Sequence, residues 1–308
     1  MVITLSDILE EIQVGAKQTD PASIKLKKKQ EKIREILNKS DAVYENTKFD
    51  LGSSNVFVQG SYAIDTAIKH KEYDVDADLG IIFPGNQNLN IREKAFMTLD
   101  RELKIDKATV KLKKPCIEID FMDGYCVDVA VYSGIEPVLD FHNNITRTEK
   151  KTDSTPKKLI ENLRLELSRD TRKRKIIRLL KHFNNVSFEK LDIEEENKIP
   201  SIAITLFIIG QQIDANNLDD MVLEGINKFR DYVYENEYNG PSLPQYRISN
   251  TFYKMNNIED VKKTLDLIFD HVTTKHYSEL VSKGIFENIS KRKNIKTDNQ
   301  IIGTLGNE

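Results

Sequence analysis

Cysteine is scarce: the 308 residues hold two, Cys116 and Cys126, on adjacent predicted strands. Two are too few for a disulfide framework, so both are expected as free, partly buried thiols. Histidine is thin too, and His70, His142, His182, His271 and His276 show no metal-ligand spacing, which argues against zinc. No stretch approaches the roughly 20 apolar residues that cross a bilayer. Met1–Ser6 also lacks a basic segment leading into a long apolar run, so the expectation is a cytoplasmic protein without membrane association. An excess of one charge sign is missing: 46 Lys+Arg stand against 49 Asp+Glu, leaving −3 although 31% of residues are charged. Bulk electrostatics therefore argues against wholesale capture of nucleic acid or acidic membrane, and an anionic ligand must be held locally. No internal repeat or low-complexity tract points to a solenoid. What remains is 39% apolar content over a length that suits one large bilobal unit or two closely packed domains.

The chain changes character near its middle. After an amphipathic N-terminal segment, Asp20-Pro21 opens a helix with an apolar stripe of Ile24, Leu26, Ile33, Ile36 and Leu37, expected to end near Asn46. Val56–Gln59 reads as a strand, and Gly60 lets the backbone turn into a helix at Ser61. A strand over 74–83 follows, then a helix capped by Asn90 and carrying Phe96, Leu99 and Leu103. Strands are expected over 109–113, 115–121 and 126–132, the last two joined by a hairpin at Met122–Tyr125. Beyond Thr148 the strand signal stops, and Lys150–Pro156 reads as a linker. Helices are expected over 156–184, 200–213, 217–235 and 258–282, with a polar, frayed end over 291–308. The fold class is α+β, with a mixed-sheet palm and N-terminal helices over 1–150 and a helical lobe over 151–308.

The palm carries the chemistry. On a strand, Asp74, Asp76 and Asp78 share one face while Val75, Ala77 and Leu79 share the other. Same-face neighbours stand about 6.5–7 Å apart. Three like charges there repel one another, and a hard divalent cation such as magnesium relieves that. Asp128, between Val127 and Val129, supplies a further carboxylate from another strand. Gly60-Ser61 offers backbone donors and a hydroxyl suited to phosphate. Joining a nucleoside triphosphate to a hydroxyl needs such parts: two cations about 3.5–4 Å apart, bridged by carboxylates, and a phosphate cradle. Asp76 and Asp78 are assigned to both ions, and Asp128 to the ion nearer the attacking hydroxyl.

Gly-Ser, then an acidic-apolar-acidic strand, then a third carboxylate resembles the polymerase-β-like nucleotidyltransferase superfamily. Gly60-Ser61-Tyr62-Ala63-Ile64-Asp65-Thr66-Ala67-Ile68, followed by Glu72-Tyr73-Asp74-Val75-Asp76-Ala77-Asp78-Leu79-Gly80-Ile81-Ile82-Phe83, is similar to its bacterial CD-NTase branch. That branch includes relatives of cyclic GMP-AMP synthase and oligoadenylate synthetase. Ile176–Lys181 and Ile199–Ala203 resemble its helical-lobe elements, and the resemblance is closest over 55–210. It implies a polymerase-β-like palm with a helical C-terminal lobe, Mg2+ or Mn2+ on Asp76, Asp78 and Asp128, and substrate contacts from Gly60, Ser61, Lys181 and Ser201. It also implies synthesis of a cyclic di- or trinucleotide from nucleoside triphosphates, the product activating an effector protein in bacterial anti-phage signalling, with no strong nucleic-acid binding. The alternatives are a template-independent enzyme acting on RNA, protein or a small molecule, and a degenerate nucleotide-binding module. The family shows two acidic positions in the first strand where this chain has three. Asp76 with Asp78 is preferred because an apolar run follows Asp78, and Asp74 is the alternative ligand.

Other polar residues have plainer readings. Glu118 and Asp120 are expected on an exposed strand face, and Asp65 as a hydrogen-bonding partner within its own turn. Arg174, Arg178 and Lys181 fall on one helical stripe, whose ordinary role is a solvated face.

Overall fold

A sheet forms where the sequence alternates. The computed structural model describes residues 2–13, 21–39, 56–69, 75–83, 91–113, 116–133, 156–242, 248, 250–252 and 255–293. Strands β1 (Val56–Gln59), β2 (Val75–Phe83), β3 (Thr109–Leu112), β4 (Ile117–Phe121) and β5 (Tyr125–Ser133) lie in the order β1-β2-β5-β4-β3. β2 and β5 pair in parallel at the centre, and the other pairings are antiparallel. Ala77, Leu79, Ile81, Ile119, Val127 and Val129 fill one face. Against them pack Leu26, Ile33 and Leu37 of α2 (Pro21–Lys39) and Ala95, Leu99 and Leu103 of α4 (Ile91–Leu103), at the helical spacing their sequences carry. The β4–β5 turn closes with the Gly124 N–H donating to the Phe121 carbonyl at 3.0 Å, Gly124 taking φ +80°. Both cysteines are free, Cys116 buried and Cys126 half-buried. The mixed-sheet palm and the helical lobe expected from the sequence are both present.

The second half builds its own core from α5 (Pro156–Arg169), α6 (Arg172–Lys190), α7 (Ser201–Gly210), α8 (Leu218–Asn236), α9 (Ile258–Thr273) and a last helix over 283–293. α6 is the hub: Ile176, Ile177, Leu179, Leu180 and Phe183 are buried, and α1 (Leu5–Ile12), α7, α8 and α9 pack around it. α1 buries Leu5, Ile8 and Ile12 in this helical core, although it precedes the palm in sequence. Arg292 and Lys293 anchor it through Glu10 (3.2 Å) and Asp7 (2.6 Å), so 291–293 are docked rather than frayed. No helix among the described residues is long and apolar enough to cross a membrane.

Some expected boundaries move. The helix expected over 156–184 is two, because Asp170 accepts the Arg172 N–H at 3.0 Å and grips the Arg172 guanidinium at 2.9 Å through both carboxylate oxygens. A local side-chain turn thus competes with the helical ladder. Arg172 then reaches the Ile213 and Ala215 carbonyls, tying the break to the loop before α8. The helix expected over 258–282 stops at Thr273, Lys275 takes φ +57°, and Tyr277–Leu280 forms a short 3-10 turn. Asn46, Asn90 and the 150–155 linker lie outside the described residues.

Candidate active site

Register decides which side chains meet on the sheet's second face. Gln59 stands opposite Asp78, Asp78 opposite Asp128, Asp128 opposite Glu118 and Glu118 opposite Lys111, one row across all five strands. Neighbouring strands lie about 4.8 Å apart, so the Asp78 and Asp128 carboxylates belong to adjacent central positions. The backbone of Asp76 pairs opposite Cys126. Its side chain, and the whole of Asp74, lie outside the described residues.

β1 hands the chain directly to α3 (Gly60–Ala63). Gly60 takes φ +65°, and a Cβ there would sit 1.8 Å from Asp78 Oδ2. Both facts require glycine: the backbone is left-handed and no side-chain atom fits. The Asp78 carboxylate therefore rests on the first residue of the turn, with Ser61 next along it. Two residues beyond Asp78, Gly80 makes room for the Phe57 ring, which a Cβ would approach to 2.3 Å. Phe57 stacks on Tyr132 at 6.1 Å between centroids, and the Tyr132 hydroxyl donates to Gln59 Oε1 at 2.9 Å. These aromatics wall off one end of the polar row.

Asp128 is the under-satisfied member. Its Oδ1 is buried without a hydrogen-bond partner. Burial lifts its pKa above the usual carboxylate value, the Cys116 thiol opposes this by donating, and Glu118 adds repulsion. The Cys116 thiol is pushed up to about 12, first by burial and then by Asp128. A partnerless buried carboxylate oxygen beside a second carboxylate is a hard, anionic donor set that fits a divalent cation. Glu118, Asp120 and Cys126 also bring ligand atoms within 4.8 Å of one another. There, however, Lys111 already bridges Glu118 (3.3 Å) and Asp120 (2.8 Å), and Lys113 pairs with Glu118. Glu118, expected on an exposed face, is only 14% exposed because these lysines cover it.

The helical lobe meets the turn with buried cations, which corrects the reading of the α6 stripe as solvated. Lys181 is 4% exposed and donates to Thr66 Oγ1 at 3.2 Å. Burial and then Arg178 push its pKa down to about 7, against the pull of Asp78. Arg178 is 6% exposed and donates to Asp65 Oδ1 at 2.6 Å. Asp65 thus reaches across to α6. Ser201 is exposed at the first position of α7 behind Pro200, and its carbonyl accepts the Thr205 hydroxyl at 2.8 Å. Gly60, Ser61 and Asp78 thus meet at one turn, Lys181 bonds to its Thr66 end and Asp128 stands in register with Asp78, while Ser201 lies at the start of α7, which packs on α6. A separate cavity of about 430 Å³, lined by Lys25, Lys28, Lys29, Lys32 and Phe121 among others, opens on the other face of the sheet.

Residues 54–132 match the family model described as "Cyclic GMP-AMP synthase DncV-like, nucleotidyltransferase domain". The match covers the stretch that holds Gly60, Ser61, Asp78 and Asp128. The likeness of fold extends over both lobes. The Bradyrhizobium diazoefficiens CD-NTase CdnG, in complex with GTP, matches with a TM-score of 0.69 at 12% identity, covering 94% of this chain and 98% of that one. The E. coli MS115-1 CdnC of a CdnC:HORMA-deltaN complex matches at 0.57 and 13% identity, covering 89% and 90%. Vibrio cholerae DncV cyclic AMP-GMP synthase, in complex with the linear intermediate 5′ pppA(3′,5′)pG, matches at 0.54 and 16%, covering 88% and 81%. No curated protein matches the chain.

Two features of the fold had not been expected from the sequence. Arg164, on α5, donates to the Ala63 carbonyl at 2.7 Å, and the Asp65–Arg178 pair joins α6 to the same turn. The second left no local signal: Ile176, Ile177, Leu179, Leu180 and Phe183 gather on one side of α6 and Arg174, Arg178 and Lys181 on the other, and that polar side is buried only because the turn packs against it.

Proposed function

We propose that the protein is a metal-dependent nucleotidyltransferase that converts nucleoside triphosphates into a cyclic di- or trinucleotide. One observation carries this reading: the Asp78 carboxylate rests on Gly60 and stands in register with Asp128, inside a DncV-like domain. The GTP bound to CdnG and the linear intermediate bound to DncV support nucleoside triphosphates as substrates here too. The Gly60-Ser61 turn presents N–H groups and a hydroxyl to the phosphates, and Lys181 and Ser201 reach the donor triphosphate from the helical lobe. Asp76, Asp78 and Asp128 would hold Mg2+ or Mn2+, which supplies charge neutralisation at the triphosphate and a lowered pKa for the attacking hydroxyl. The palm over 1–150 and the lobe over 151–308 enclose the nucleotides between them, which excludes water and strengthens each charged contact. In the same reading the protein is cytoplasmic, and its product activates an effector protein in anti-phage signalling.

The test is incubation with all four nucleoside triphosphates and Mg2+ or Mn2+, then phosphatase treatment and mass spectrometry. A phosphatase-resistant cyclic oligonucleotide is expected. Label transferred to RNA or protein would assign a different transferase. Triphosphate binding by calorimetry without pyrophosphate release would leave only a binding module.

A further inference from the structure

The turn after Gly60 is held from the helical lobe at three points. Arg164 Nε donates to the Ala63 carbonyl at 2.7 Å, Arg178 Nη2 to Asp65 Oδ1 at 2.6 Å, and Lys181 Nζ to Thr66 Oγ1 at 3.2 Å. Arg174 Nε stands 3.8 Å from the other Asp65 oxygen. Asp65 takes φ +57°, a left-handed conformation that aspartate tolerates better than most L residues. The effect returns to Ser61, because the Thr66 N–H donates to the Ser61 carbonyl at 2.9 Å. At its other end the turn abuts Asp78. The backbone of Ser61 is thus braced between a palm carboxylate and the cations of α5 and α6.

Within this brace the Asp65–Arg178 pair differs from the surface ion pairs of the chain. The Arg178 side chain is 7% exposed and that of Asp65 34%, so water cannot replace the contact on the arginine side. Burial draws the Arg178 pKa down while Asp65 pulls it up. A buried guanidinium deprived of its carboxylate is costly, so the pair has one stable arrangement rather than several. The two residues lie 113 positions apart and on different lobes.

We infer that Asp65 and Arg178 form a positioning pair through which the helical lobe sets the Gly60–Thr66 turn, so that Ser61 is presented to the triphosphate in one orientation. This rests on the nucleotidyltransferase reading for its consequence, and on the contacts above for its existence. Neither residue touches substrate. Both act through the backbone that Ser61 shares with Thr66.

The test uses the full-length protein carrying Asp65→Asn, Arg178→Met or both, with folding checked by circular dichroism. In Asp65→Asn the KM for nucleoside triphosphate rises about tenfold, as expected for a displaced phosphate contact, and kcat falls by a similar factor. A smaller folded fraction lowers kcat alone and leaves KM untouched, so the KM shift separates positioning from mere stability. The double variant is no worse than the worse single one. Amide hydrogen exchange of the nucleotide-free protein shows faster exchange confined to 61–66, with β5 unchanged. A folded Asp65→Asn protein with parental KM and parental exchange over 61–66 would overturn the inference, and so would acceleration spread evenly over the chain. If the parent releases no pyrophosphate from any nucleoside triphosphate, the functional reading fails on its own. The exchange experiment then decides the pair alone: acceleration confined to 61–66 upholds it, and any other pattern overturns it.

Discussion

The palm and the helical lobe bring opposite charge to the same turn by different means. On the sheet, Asp78 and Asp128 are set by backbone register, each strand having an apolar face that fixes the other face as polar. On α6, Arg178 and Lys181 sit among residues buried on every side, and only contacts across the chain, to Asp65 and Thr66, make them tolerable. The carboxylates are placed locally and the cations by tertiary packing. Exchanging a palm carboxylate for its amide should therefore remove chemistry and leave the fold, whereas changing a lobe cation should disturb affinity and stability together.

The largest effect is expected on the palm. Asp128→Asn, Asp76→Asn and Asp78→Asn should each abolish pyrophosphate release while near-ultraviolet dichroism stays parental, a loss of several kcal/mol of transition-state stabilisation. Asp74→Asn should retain measurable activity, and inactivity of that variant would move the metal-binding pair towards the start of β2. Gly60→Ala comes next. Its Cβ would collide with Asp78 Oδ2 and would demand a left-handed backbone, so activity should fall about a hundredfold and the melting temperature should drop. An active Gly60→Ala protein would show that the turn and Asp78 do not depend on their close approach.

How far each lobe can be read from the chain follows from the same contrast. Alternation in 74–83 and 126–132 carries strand identity, facing and the order of carboxylates, because period-2 patterning is a property of a few consecutive residues. The parallel pairing that puts Asp78 opposite Asp128 is not local, yet the shared polar face made the meeting foreseeable. The break at Asp170 escaped because an aspartate gripping its own neighbours leaves the apolar period undisturbed. The burial of Arg178 and Lys181 escaped because they form a polar side of α6 opposite its apolar residues, and only the distant Asp65 and Thr66 cover that side. That α1 packs on α6 rather than on the palm has no signature in its own eight residues beyond an apolar stripe without an address.

Lower in magnitude is the lobe's contribution. Lys181→Ala should weaken triphosphate binding by roughly 1–3 kcal/mol, and Arg174→Ala by much less, measured by calorimetry. Because burial holds Lys181 at a pKa of about 7, triphosphate affinity should fall as pH rises through 7, and binding above that pH should take up a proton. Stability follows the opposite course. The unfolded chain keeps this lysine protonated up to its ordinary 10.5, so between about 7 and 10.5 it binds more protons than the native state and stability rises with pH. Melting curves across that window should show the rise in the parent and a smaller one in Lys181→Met. An equal rise in both would assign it to another group. Smallest is Gly80→Ala, which forces the Phe57 ring aside and should lower stability by about 1–3 kcal/mol in denaturant titration. Parental stability there would mean the aromatic wall is loosely packed.

The most direct measurement is a crystal structure with a non-hydrolysable nucleoside triphosphate and Mn2+, the ions located by anomalous scattering. The account predicts manganese ligated by Asp78 and Asp128, with the triphosphate on the Gly60-Ser61 turn. Manganese held by Asp74 with Asp78 unligated, or seated among Glu118, Asp120 and Cys126, would contradict it.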